Sequence, residues 1–313
     1  MDFTSLLNQM PGAIALGLIW GIMAIGVYIT YRVLDLADLT VDGTMATGGA
    51  VCVMMILAGY SIPVALVGAT LAGMLAGLVT GLLHTALGIP AILAGILTQL
   101  SLYSVNLKIL GAANQIISAR KYDLLVSLGK ITGVPFYENP IFVSFLFVAV
   151  LIAVLYWFFG TAMGSALRAT GNNPSMSRAQ GINTNVMKVF GLMLSNGIVA
   201  LAGALLAQYD GQADVQKGRG AIVIGLAAVI IGEVVFSKLL KNFAIRLAAV
   251  AAGGVIYYIV YQTAIWMDLD PDLLKLLSAA VVAIFLGVPY LERRFAKPTI
   301  KSIAKTKEEK TDA

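Results

Sequence analysis

Long apolar runs alternate with short polar interruptions along this chain, and the run lengths set the first constraint. A helix that crosses a hydrocarbon layer needs roughly 20 mostly apolar residues, because unpaired backbone N–H and C=O groups are not tolerated there. About nine stretches follow that pattern: 13–30, 33–58, 63–87, 90–110, 142–159, 186–207, 221–236, 243–265 and 273–290. The pattern therefore predicts an all-α, polytopic helical membrane protein with a single transmembrane domain over 1–292. A basic tail, 293–313, is expected to be disordered and cytoplasmic.

The interruptions carry more information than the runs. Residues 164–183, GSALRATGNNPSMSRAQGIN, separate two apolar blocks and contain the signals of a short helix. Asn173 has a side-chain oxygen suited to capping the first free N–H groups, and Pro174 occupies the first helical position, where its missing N–H costs nothing. Arg178 falls in the last turn, where a cation complements the helix dipole, and Gly181 stands where a left-handed residue is wanted. This spacing predicts a helix over about 174–180, too short to be stable by itself in water, so Met176 and Ala179 need a surface to rest on.

Two further interruptions, Asp35 to Thr44 and Asp210 to Gly232, lie one in each half of the chain. Paired broken spans of this kind are the mark of inverted-repeat transporters and flank the solute pathway. Chance matches between glycine-rich runs give the same impression, so the repeat stands as a hypothesis. Ionisable groups at membrane depth face protein or a water-filled cavity, which makes Asp38, Asp42 and Glu233 candidates for solute contact. Each has a second reading: Asp38 as a cap of the second span, Asp42 in its first turn, Glu233 as an ion-pair partner of Lys238. Thr40 and Thr44 share that interruption, and Gln99, Asn106 and Asn196 are amides placed away from helix ends, so all five join the pathway candidates. Gly17 and Gly21 in the first span, and Gly73, Gly77 and Gly81 in the third, form small-residue faces that predict close helix packing.

Composition narrows the classes. The chain is 59% hydrophobic and 12% charged, against roughly a quarter charged for soluble domains. One cysteine, Cys52, and one histidine, His84, cannot assemble a structural zinc site or a disulfide. The net charge of +5 owes five lysines to the tail, Lys297, Lys301, Lys305, Lys307 and Lys310, which reads as an orientation signal and a membrane-lipid contact rather than nucleic-acid binding. Residues 1–11 lack the basic start of a secretory signal, and the run that follows is long enough to span. There is no G-x-x-x-x-G-K-[ST] phosphate loop, no H-E-x-x-H and no G-x-S-x-G.

Gly171, Asn172, Asn173, Pro174, then Arg178, Ala179, Gln180, Gly181, Ile182 and Asn183 resemble the coupling-helix segment of permease subunits of ATP-binding-cassette (ABC) importers. The branch is similar to the branched-chain amino acid and ribose permeases. Within it, LADLTVDGT at 36–44 and GLAAVIIGE at 225–233 resemble the tryptophan/tyrosine importers. The resemblance covers 31 to about 290. It implies that Arg168 and Arg178 are polar contacts to a cytoplasmic ATPase, that Met176 packs in that ATPase's groove, and that ATP and magnesium are bound there and not on this chain. It also implies an extracytoplasmic solute-binding protein or lipoprotein, a second permease copy, and an amino acid as solute, aromatic ones favoured over branched-chain ones or other small organic solutes.

Orientation follows from lysine and arginine near span ends. Arg32, Arg168, Arg178, Lys188, Lys238, Lys241 and Arg246 fall on one face; Lys108, Arg120, Lys121, Lys130, Lys217, Arg219 and Lys275 fall on the other. The tie is broken by the basic tail, which puts the C-terminus in the cytoplasm of a bacterial cell and the N-terminus outside. Two rival classes remain: an ion-coupled secondary transporter, with Asp42 as its one tempting carboxylate, and a multi-span enzyme, which a single histidine disfavours.

Overall fold

The computed structural model describes residues 3–118, 121–122, 124–127, 138–237 and 242–267, with isolated positions between 273 and 287. Seven of the described helices are long and apolar enough to cross a membrane. In chain order the elements are α1 (Phe3–Tyr28), continued by a π-turn (Ile29–Val33), α2 (Thr40–Leu57), α3 (Ile62–Thr85), α4 (Ala91–Leu110), β1 (Asn114–Ile116), α5 (Pro140–Gly160), α6 (Ala162–Asn172), α7 (Pro174–Ala179), α8 (Thr184–Asp210), β2 (Gln212–Asp214), α9 (Ala221–Val235) and α10 (Phe243–Trp266). The ninth expected span, 273–290, and the tail lie largely or wholly outside the described residues.

Small residues decide which helices touch. Without a hydrophobic drive between helices in lipid, close backbone approach and dispersion hold the bundle together. On α3, a Cβ added at Gly73, Gly77 or Gly81 would run into Asn196, Leu192 or Val189 of α8. On α1, Gly17 and Gly21 lie against Val255 and Ala251 of α10 in the same way. Both stripes expected from the sequence are therefore packing seams. The centre is built from α1, α2 and α8, where Ile19, Ile22, Met23, Val41, Val199 and Leu205 are fully buried. The outer faces of α3, α4 and α5 present Leu71, Leu75, Leu97, Leu100, Phe145 and Trp157 outward, as helices facing lipid tails do.

A two-stranded antiparallel ladder is the one departure from an all-helical chain among the described residues. β1 pairs with β2, Gln115 opposite Ala213, and ties the long connection after α4 to the connection after α8. The ladder sits at the end of the bundle opposite α6 and α7, because α8 begins beside α7 and ends at Asp210 next to β2.

Both interrupted helices start within the bundle rather than at one of its ends. The chain leaves α1 through the π-turn and then Asp35, whose φ of 54° is left-handed, a conformation aspartate tolerates better than most residues. α2 starts where Asp38 meets Asn196, near the midpoint of the 27-residue α8. From there α2 climbs beside α8, Met45 against Gly203 and Gly49 against Ala207, toward the ladder end. α9 has 15 residues, about 22 Å of helix, and its far end reaches the π-turn, where Glu233 pairs with Arg32 at 3.0 Å. Lys238, the partner expected for Glu233 from sequence, lies outside the described residues. The two interrupted helices thus start side by side within the bundle and run to opposite ends.

Candidate functional site

Three layers, stacked from one end of the molecule inward, make up the candidate site. The outermost is α7. Asn173 caps it, its Oδ1 accepting from the Met176 N–H at 3.0 Å, with Pro174 in the first turn, Arg178 in the last and Gly181 at φ 81°. Ser177 turns inward, 3% exposed, and donates to the Asn173 carbonyl at 2.9 Å. Asn172, Asn173, Met176, Arg178, Ala179 and Gln180 are all exposed, Met176 at 61%. The surface that Met176 and Ala179 need is not supplied by the described part of this chain.

The second layer is α6, which is clamped from both sides. Leu167 is fully buried and touches the space left by Gly191 of α8, into which Leu34 also projects. Gly171 lies so close to the π-turn that a Cβ there would collide with the Val33 carbonyl and Leu34 Cα. A shift of α6 therefore cannot leave the segment after α1 where it is, since close-packed backbone has no slack to absorb it. Arg168 is committed within the chain: its Nη2 donates to the Phe159 carbonyl at 2.7 Å and its guanidinium stands over the Phe243 ring. Neither of the two arginines expected to reach an ATPase has an ion pair among the described residues, and Arg178 also has no side-chain hydrogen bond or ring contact there.

The third layer is a buried polar chain at the interruption before α2. Thr98 of α4 accepts from Thr80 of α3 at 2.9 Å, and Thr80 and Thr40 share a hydrogen bond at 2.8 Å. The Thr40 N–H donates to Asp38 Oδ1 at 2.9 Å, and Asn196 Nδ2 of α8 donates to Asp38 Oδ2 at 2.7 Å. Thr44 then donates to Asn196 Oδ1 at 2.7 Å. All six side chains are buried. Asp38, Thr40, Thr44 and Asn196, separate in sequence, are thereby assembled into one network joining four helices. Asp38 caps α2 as one of its two readings had it, and its second oxygen is taken by Asn196.

Asp42 is aimed elsewhere. It sits in the first turn of α2, but its carboxylate accepts from the Gly220 and Ile222 N–H groups at 2.9 Å each, capping α9. One carboxylate thus meets the positive ends of two helix dipoles. Gly218 makes this approach feasible, since any Cβ there would strike the Asp42 carbonyl. Gln99 and Asn106 stand apart from both arrangements: Gln99 is half-buried beside Gly43, and Asn106 donates weakly to the Gly43 carbonyl at 3.4 Å while its Oδ1 has no partner among the described residues.

Sequence reasoning missed Thr80 and Thr98 as members of the network. The signal was slight, for Thr80 a hydroxyl beside a glycine stripe and for Thr98 its place beside Gln99 in the fourth span, since a threonine in an apolar helix commonly bonds its own i−4 carbonyl, as both also do here.

A helical bundle with two interrupted spans and a short capped helix at one end is the architecture of a membrane-embedded permease. A solved structure, PsaBC from Streptococcus pneumoniae in complex with Fab, is similar in fold, with a TM-score of 0.54, 15% identity, and 91% of this chain and 95% of that chain covered. The family described as branched-chain amino acid transport system / permease component matches residues 10–286, and the chain belongs to it; it is the permease of an ABC importer. Among individual relatives, the tyrosine transport system permease protein of Clostridioides difficile (strain R20291) is 36% identical over 293 residues, 94% of this chain and 95% of that protein. The autoinducer 2 import system permease protein of Salmonella paratyphi B is 31% identical over 207 residues, 63% of this chain and 55% of that one.

Proposed function

We propose that this permease carries aromatic amino acids of the tyrosine/tryptophan class into a bacterial cytoplasm, driven by a separate ATPase that docks on α7. The solute assignment is supported by the similarity to a tyrosine transport permease along almost the whole of both chains. The observation that carries the mechanism is the continuous contact from α7 through Gly171 to the Asp38 network.

In this reading Met176 and Arg178 seat in a groove of the ATPase, which holds ATP and magnesium; this chain hydrolyses nothing. Closure of two ATPases around nucleotide moves α7 and α6 as a unit. Gly171 transmits the shift to Val33 and Leu34, and the start of α2 moves relative to α3, α4 and α8. Packed interfaces respond to such a push by switching between discrete arrangements rather than by deforming continuously. An extracytoplasmic solute-binding protein delivers the amino acid at the ladder end, and a second permease copy supplies the other half of the passage. The N-terminus is then outside and the C-terminus in the cytoplasm.

Two measurements test this. Cys52 is fully buried, so Ser175→Cys adds the one readily labelled thiol among the described residues; a membrane-impermeant maleimide should reach it only in inverted vesicles. Labelling from outside intact cells would place α7 beyond reach of any ATPase. Ala179→Asp puts a charge on the exposed face of α7 and should cut uptake in proteoliposomes by at least tenfold while the protein stays folded, the cost of burying an unpaired charge at an interface being several kcal/mol, of order 3–5. Unchanged uptake would remove α7 from the drive train.

A further inference from the structure

At the ladder end a cleft of about 800 Å³ opens between α1, α9, α10 and the connection 211–220, with Ala279 on one side. Its wall and floor are aromatic: Trp20 of α1 packs on Tyr258 of α10 at 5.6 Å between ring centroids, and Tyr258 on Tyr261 at 5.7 Å. Its described rim carries charges of both signs. Asp210 and Lys217 form an ion pair, 2.6 Å from Nζ to Oδ2. Asp214 spends one carboxylate oxygen on the Gln216 N–H at 2.7 Å, which leaves the other for a ligand's donor. Arg219 is exposed, held over the Tyr103 ring at 5.9 Å. None of these groups belongs to the polar network or to the docking helix.

We infer that this cleft is a binding site for a free zwitterionic amino acid with an aromatic side chain. The ring lies against Trp20, Tyr258 and Tyr261, the ammonium group faces Asp214, and the carboxylate faces Arg219. Asp210 and Lys217 already neutralise each other, so Asp214 and Arg219 are the described lining charges left to meet a ligand bearing one charge of each sign. Aromatic rings stack on aromatic walls in offset or tilted pairs, a geometry that Trp20, Tyr258 and Tyr261 already adopt with each other. A bound phosphatidylethanolamine headgroup shares the paired charges but brings no ring. The inference rests on the aromatic amino acid reading of the transporter, and it adds that the permease itself holds the solute at the end opposite α7.

The test is equilibrium binding of radiolabelled L-tyrosine to the full-length chain in nanodiscs made with and without phosphatidylethanolamine. We expect saturable binding that L-tryptophan displaces, and at least tenfold weaker displacement by tyramine, which lacks the carboxylate, and by 3-(4-hydroxyphenyl)propionate, which lacks the ammonium group. Arg219→Gln and Tyr261→Leu should each weaken binding by about tenfold, the scale of one lost charged hydrogen bond or ring contact. Both side chains are at least partly exposed, and unchanged size-exclusion profiles should show that the variants fold. Binding that neither variant alters, or that phosphatidylethanolamine abolishes, overturns the inference. So does an absence of saturable binding in a preparation whose complete complex, with ATPase and binding protein, takes up tyrosine; the function reading would then stand alone. Uptake by that complex of some other amino acid and no aromatic one would refute the function reading, and the cleft assignment with it.

Discussion

The interruptions before α2 and before α9 solve the same problem by different means. Each begins a helix within the bundle, where the first N–H groups lack intrahelical partners. α2 is capped from its own strand of chain, Asp38 to the Thr40 N–H, and that carboxylate is then fixed by Asn196 from α8. α9 is capped from outside, by Asp42 of α2. The first device makes a self-contained start that Leu34 and Gly171 link to the docking end. The second makes the position of α9 depend on that of α2, so whatever moves the first start pulls on the second. Of the two, the borrowed cap is the one that ties the start of one interrupted helix directly to the other.

The largest effect should come from the borrowed cap. Asp42→Ala removes two charge-assisted bonds to backbone N–H groups, each worth about 1.5–3 kcal/mol, and strands the α9 start. We expect at least about 3 kcal/mol lost in denaturant unfolding of the lipid-reconstituted protein, with uptake abolished. A loss under 1 kcal/mol would mean that α9 is held by its apolar packing and not by Asp42. Next comes Gly171→Val, which forces α6 away from Val33. Overpacking of this kind costs about 1–3 kcal/mol, and uptake should fall much further than stability does while ATP hydrolysis by the assembled complex continues. If hydrolysis and uptake fell in step, Gly171 would serve assembly and not transmission. Smallest is Thr80→Val in the network around the local cap. Hydrogen bonds between helices in a membrane average about 0.6 kcal/mol, so its unfolding free energy should drop by roughly that amount per bond lost. A drop exceeding that of Asp42→Ala would reverse the ranking of the two starts.

Much of α7 was legible because its signals are local. Asn173, Pro174, Arg178 and Gly181 act within one or two turns, and the helix lies within a residue of where they place it. The glycine faces were legible for the same reason: a 3.6-residue period fixes which side is small, whatever the partner. Asp42 was only half legible. Its place in the first turn of α2 follows from the sequence, but its bonds to Gly220 and Ile222 span about 180 residues and depend on Gly218 letting the backbones meet. Arg168 shows another case, a basic residue in a docking segment whose guanidinium also donates to the Phe159 carbonyl nine residues earlier.

The sequence by itself determined that the chain is a bundle of membrane helices, where most of them start, and that a capped helix of about two turns interrupts them, because hydrophobic length, capping and small-residue period are properties of neighbouring residues. Only the tertiary structure decided that the first interruption lies level with the middle of α8, that Asp38 and Asn196 meet, and that one aspartate serves two helix starts. Those facts depend on how deeply each helix sits beside the others, and that depth is set by the close fit of glycines on one helix against the backbone of another far away in the chain.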